Sequence, residues 1–209
     1  MLLGGLYLWS DQPWQKIDDV IKYAKQHPGE IKFAHSGIGT LLHVAGELFA
    51  KEAEINITQV PFRGGPESLA ALLGGHVQLM FTSLPTIKGQ VENGDVRVLA
   101  VTAEQRIANN EYKDIPTFKE QGLNIVLFRR NGIAVPKDMP ENMKNILSIG
   151  LEKIFNDPEF IDGIKNYGFI VKYRGPKESA AQWLSENALD TKIIQETGIA
   201  EQIAAQKNR

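Results

Sequence analysis

The stretch FAHSGIGTLLHVAGELF, residues 33–49, decides the fold. It reads as a short strand, a glycine-rich turn, and a helix over residues 40–53. Gly37 and Gly39 let the backbone approach a ligand closely. Ser36 and Thr40 add hydroxyl groups, and Thr40 suits the helix N-cap. The first turn of such a helix presents N–H groups and partial positive charge, which favours a carboxylate or a phosphate. A phosphate-binding loop needs a lysine after its glycines, and a dinucleotide turn needs a third glycine; neither is present. The same five residues also serve as a plain strand-to-helix turn, and taken alone they leave both readings open.

Working outward, Ile17, Val20, Ile21 and Ala24 recur at helical spacing in WQKIDDVIKYA, and Pro28 and Gly29 stop that helix. Residues 55–60 read as a strand, 64–75 (GGPESLAALLGG) as a proline-started, glycine-closed helix, 76–81 as a strand, 84–93 as a helix and 96–102 as a strand. Such alternation predicts an α/β fold with a mainly parallel sheet and helices on both faces. Ligands in such sheets bind beyond the carboxyl ends of the strands. Three turns lie there: HSGIGT, PFRGGPES with Arg63, Gly64 and Gly65, and FTSLPT with Thr82 and Ser83. Arg63 also reads as an ordinary surface arginine, and Thr82 and Ser83 as caps. Beyond Thr102 the chain turns polar. Residues 124–136 read as one extended segment, 141–167 as two helices split by NDP, 169–173 as a strand and 176–196 as an amphipathic helix, with a second lobe from about residue 130.

The 209 residues suit one ordinary domain or two small lobes. A net charge of -2 with no basic cluster argues against nucleic acid as a partner. No cysteine is present, which removes disulfides and thiol catalysis. None of the four histidines pairs with another at a metal-ligand spacing, so no metal and no cofactor is expected. His43 reads as a packed or hydrogen-bonded histidine rather than a base. Ser36 with His43 lacks a nucleophile elbow, and the carboxylates are scattered, so no catalytic residue is named. MLLGGLYLW is too short to cross a bilayer and lacks the features of a signal peptide, so the expectation is a chain without an export signal.

Six landmarks in order resemble the periplasmic solute receptors of tripartite tricarboxylate transporters, the Bug-type receptors. They are QPWQKIDDVIKYAKQHPGEIKFAHSGIGTLLHVAGELF, ITQVPFRGGPESLAALLGGHVQLMF, NGDVRVLAVTAEQR, DIPTFKEQGLNI, GIAVPKDMPENMKNIL and NDPEFIDGIKNYGF. The resemblance implies a Venus-flytrap, periplasmic-binding-protein-like fold with parallel-rich sheets. It implies a receptor, not an enzyme, that binds a small organic acid and delivers it to membrane permease subunits, located in the periplasm and monomeric at full length. It places Ser36, Gly37, Ile38, Gly39, Thr40, Arg63, Gly64, Gly65, Thr82 and Ser83 around the carboxylate. It also implies a preceding part of the first lobe, about 100 residues long. The expected organisation is therefore a crossover segment at 1–11, the solute-binding second lobe at 12–129, and the remainder of an incomplete first lobe at 130–209, with apolar helix faces exposed. The alternatives are a truncated, non-binding remnant or interaction module, and an enzyme using the glycine turn as an oxyanion site.

Overall fold

The computed structural model describes residues 2–107, 112–166 and 171–207. In chain order the elements are β1 (Leu2–Trp9), α1 (Ile17–Gln26), β2 (Lys32–His35), α2 (Leu41–Glu52), β3 (Thr58–Pro61), α3 (Gly65–Leu73), β4 (Leu79–Ser83), α4 (Leu84–Glu92), β5 (Val96–Val101), β6 (Phe128–Arg129), α5 (Glu141–Phe155), α6 (Pro158–Asn166), α7 (Pro176–Glu196) and α8 (Ile199–Lys207). They divide into two compact units, one of Leu3–Phe128 with Ile193–Arg209, the other of Arg129–Lys192 with the first two residues.

The larger unit is built on a sheet of order β3-β2-β4-β1-β5. β2 pairs in parallel with β3 and with β4, whereas β1 runs antiparallel to both β4 and β5. Four strands therefore share one direction and the reversed β1 lies between two of them. Leu6, Tyr7 and Leu8 are wholly buried, as expected of a strand covered on both faces. Side chains alternate between two cores. Leu6, Leu8, Phe33, Leu79 and Phe81 join α1 and α2 through Ile17, Val20, Val44 and Phe49. Tyr7, Ala34 and Met80 join α3 and α4 through Leu72, Leu84 and Ile87. Gly46 lets α2 lie close on the sheet: a Cβ there would fall 2.2 Å from Phe33 Cε2.

Ile199 of α8 is fully buried in the first core, and Ile193, Ile194 and Ile203 pack against it. Residues 193–209, expected with the C-terminal remainder, belong to the larger unit because Ile199 is part of its core. Residues 3–11, expected as a crossover segment, fall in the larger unit, where β1 pairs with β4 and β5. Elsewhere the strand expected over 55–60 begins only at Thr58, and the extended segment over 124–136 keeps a strand only at Phe128–Arg129. Of the strand expected at 169–173, residues 169 and 170 lie outside the described residues and 171–173 form none.

In the smaller unit Phe155 packs edge-on against Phe160 and stacks on Tyr173, whose hydroxyl donates to Ser148 O at 3.2 Å. Arg130 pairs with Glu186. Among the described residues none of the buried core lies in this unit, and Ile133, Met143, Ile146, Ile149, Trp183 and Leu184 are exposed. No described helix is long and apolar enough to cross a membrane.

Candidate functional site

The common direction of β2, β3, β4 and β5 brings their carboxyl ends to one edge of the sheet, where the reversed β1 begins. Gly4 there faces Ser83 across the β1–β4 ladder, and Gly5 faces Thr82 and Val101. All three turns expected from the sequence lie at this edge, with Ser36–Thr40 after β2, which sits between β3 and β4.

The three turns touch. Phe62 N donates to His35 O at 3.0 Å. A Cβ on Gly65 would fall 2.8 Å from Thr86 Cγ2, and Thr86 Oγ1 lies 2.9 Å from Ser83 Oγ. A Cβ on Gly4 would meet Leu42 and Thr102. Thr82 is buried, Ser36, Gly37, Ile38, Gly39, Thr40, Gly64, Gly65 and Ser83 are half-buried, and Arg63 is exposed.

The turns differ in what already occupies them. At α3, Glu67 sits in the first turn and its carboxylate accepts from Arg63 N at 3.1 Å, so that helix start has an anion of its own. The first turn of α2 has no acidic residue. Thr40 caps it by accepting from His43 N, and its hydroxyl donates to Gly37 O at 2.8 Å. The N–H groups of Leu41 and Leu42 are among the donors that a helix start leaves open. The Gly37 carbonyl also accepts from Thr40 N at 3.3 Å and lies 2.9 Å from His35 Nδ1. In a trans peptide the C=O and the following N–H point opposite ways, so the Ile38 N–H is aimed away from His35 and Thr40.

Beneath the turn two buried imidazoles stack at a centroid distance of 4.3 Å, inclined by 15°. His43 Nδ1 accepts from Gly39 N at 3.1 Å and its Nε2 lies 3.2 Å from Glu47 Oε1, which fixes a neutral ring protonated at Nε2. His35 Nε2 lies 2.7 Å from Gln59 Oε1, and Gln59 Nε2 donates to Gln202 of α8 at 2.7 Å. Burial holds His35 below the usual imidazole range, against the pull of the Gln59 bond, and the neighbouring His43 adds to the lowering. Both nitrogens of each ring face a partner, so neither ring is placed to take a proton from Ser36 Oγ. His43 is hydrogen-bonded, as the sequence reading has it. His35, Gln59 and Gln202 carried no sequence signal, since they lie 24 and 143 positions apart. Thr102 was missed too: its buried hydroxyl bonds Gly4 and, at 2.7 Å, Leu127 O.

Residues 4–199 match the family described as the tripartite tricarboxylate transporter family receptor. A Cupriavidus necator protein, named UPF0065 protein in gbd 5'region, is 29% identical over 197 residues, covering 94% of this chain and 59% of that protein. The fold is similar to an R. palustris protein solved with adipate (TM-score 0.81, 24% identity, 94% of this chain and 66% of that one). It is similar too to MatC from Rhodopseudomonas palustris with bound malate (TM-score 0.71, 21% identity, 94% and 65%). The chain thus spans less than two thirds of each of these proteins.

Proposed function

We propose that this chain, which belongs to the tripartite tricarboxylate transporter receptor family, binds a small carboxylate at the carboxyl edge of its sheet and hands it to the membrane permease subunits of such a transporter, in the periplasm. One observation carries the reading: the Ser36–Thr40 turn, which opens α2 between neighbouring strand ends, aims the Ile38 N–H away from its buried support and has no acid in the helix's first turn. A carboxylate oxygen there accepts from Ile38 N–H and the first N–H groups of α2, with the helix end favouring its charge. Ser36 adds a hydroxyl, Gly37 keeps the approach clear, Gly39 turns the chain at φ +78° beneath Ile203, and Arg63, Gly64, Gly65, Thr82 and Ser83 line the adjoining turns. Arg63 brings the positive charge. Adipate and malate, the ligands of two structural neighbours, are the natural first probes.

The reading is tested by thermal unfolding of the full chain with adipate, malate and dimethyl adipate. A ligand at a hundred times its Kd stabilises by about 2.7 kcal/mol, so the acids raise Tm and the uncharged ester does not. Equal curves with acid and ester sink it. A second reading, an interaction module that holds no solute, is favoured by the apolar side chains exposed on the smaller unit. Self-association without any response to carboxylates would establish it.

A further inference from the structure

The turn's grip on its outward N–H runs through a chain of side chains that begins on α8. His35 Nδ1 lies 2.9 Å from Gly37 O and 3.3 Å from Gly37 N, so the ring meets the turn either as a donor to the carbonyl or as an acceptor from the N–H. The carbonyl of Gly37 and the N–H of Ile38 share one rigid peptide plane. A proton on Nδ1 holds the carbonyl inward, beside the bonds from Thr40, and keeps the Ile38 N–H pointing out. A lone pair on Nδ1 faces the carbonyl oxygen instead and loosens that hold.

Which nitrogen carries the proton is decided at the other side of the ring. Nε2 faces the Gln59 side-chain amide, and that amide faces the Gln202 amide. A side-chain amide turned end for end exchanges donor and acceptor within the same heavy-atom frame. With Gln59 Oε1 toward the ring, His35 carries its proton on Nε2. With the amide turned, Nε2 accepts and the proton moves to Nδ1. Gln202 either accepts from Gln59 or donates to it, and so chooses between them. His43 takes no part in this choice, because Gly39 N–H and Glu47 fix its proton. Ile203, beside Gln202, packs over Gly39: a Cβ on that glycine would lie 2.9 Å from Ile203 Cδ1. The helix that makes the choice is therefore seated on the turn it controls.

We propose that Gln202, acting through Gln59, sets the protonated nitrogen of His35 and thereby the orientation of the Ile38 N–H, making His35, Gln59 and Gln202 positioning residues of the anion turn. The proposal rests on the receptor reading for the identity of the ligand, not for the link between α8 and the turn.

The test uses the full chain carrying 15N-labelled histidine, compared as wild type, Gln202→Glu and Gln202→Lys, with adipate as probe. The carboxylate brought in by Gln202→Glu can only accept from Gln59, so His35 is held with its proton on Nε2. The ammonium brought in by Gln202→Lys can only donate, so the proton is held on Nδ1. The imidazole nitrogen signals report this directly, with and without ligand. Adipate is expected to draw the wild-type ring to the Nδ1-protonated form. Gln202→Glu is expected to bind adipate about tenfold more weakly, the worth of one charge-assisted hydrogen bond, with the loss persisting in salt that screens a simple charge effect. Identical His35 signals in all three proteins overturn the proposal. So does a changed tautomer with unchanged adipate affinity. A changed tautomer in a chain that binds no carboxylate sinks the receptor reading and leaves the link from α8 to the turn standing.

Discussion

Replacing Gly39 by alanine tests the turn and its cover at once. Gly39 has φ +78°, in the left-handed region where a Cβ crowds the following carbonyl and costs about 1–2 kcal/mol. The added methyl would also lie 2.9 Å from Ile203 Cδ1. Swinging that side chain off its rotamer costs about 0.5–1.5 kcal/mol more. Gly39→Ala is therefore expected to lose roughly 2–3 kcal/mol, which lowers the urea midpoint by about 1 M. Tryptophan fluorescence follows the larger unit, since Trp14 is only 6% exposed there while Trp183 of the smaller unit is 75% exposed and changes little on unfolding. Ile203→Ala removes the clashing methyl but not the backbone strain. In a double-mutant cycle the two changes should couple by about 0.5–1.5 kcal/mol, the double mutant being more stable than the sum of the singles. A loss below about 0.5 kcal/mol for Gly39→Ala would refute the left-handed turn. Strict additivity would refute the seating of α8 upon it.

Thr102→Val strips the hydroxyl that serves Gly4 and Leu127, so it should cost about 1–3 kcal/mol while Thr102→Ser, which keeps those bonds, costs less; equal urea midpoints would show the hydroxyl idle. Gly46→Ala drives a methyl into the buried Phe33 ring and should cost about 1–3 kcal/mol, whereas Gly89→Ala in α4, with open space at its Cβ, should be neutral or gain up to about 1 kcal/mol; denaturation curves for the pair decide it. The buried His35 takes up its proton less readily folded than unfolded. Its contribution to stability is thus complete above pH 6.5 and lost as pH falls from 6.5 through the lowered folded value. Unfolding free energies of wild type and His35→Gln between pH 8 and 5 should therefore converge on the acid side, and parallel curves would contradict a buried neutral ring.

The glycine turn was legible because its chemistry is local. Gly37 and Gly39 precede an apolar helix, Thr40 stands where a cap belongs, and Gly65 and Pro66 open the next helix in the same manner. The order of strand and helix then placed all three turns at one edge of the sheet. What the sequence could not carry was pairing across distance. LLGGLYLW suits a buried strand of either direction, and only its register with β4 and β5, Tyr7 against Met80 and against Val98, reverses it. IAEQIAAQK forms α8, an element the sequence reading did not assign, and nothing in it says that Ile199 fills a core closed by Phe49 and Phe118. Gly46 looks like a weak point in α2 until Phe33 is placed beneath it.

The larger unit is discontinuous along the chain, with residues 129–192 inserted between Phe128 and Ile193. On the ribosome the sheet and its three turns are made before the whole insertion, and α8 after it. Until that helix emerges, the hydrophobic seat of Ile199 stands open and Gln59 has no partner from Gln202. Closing the gap also sets an entropic toll that grows only slowly with the length of the insertion. The glycine turn is therefore completed only when α8 arrives, and a nascent chain stalled within the insertion would display Gly39 without the Ile203 that packs on it.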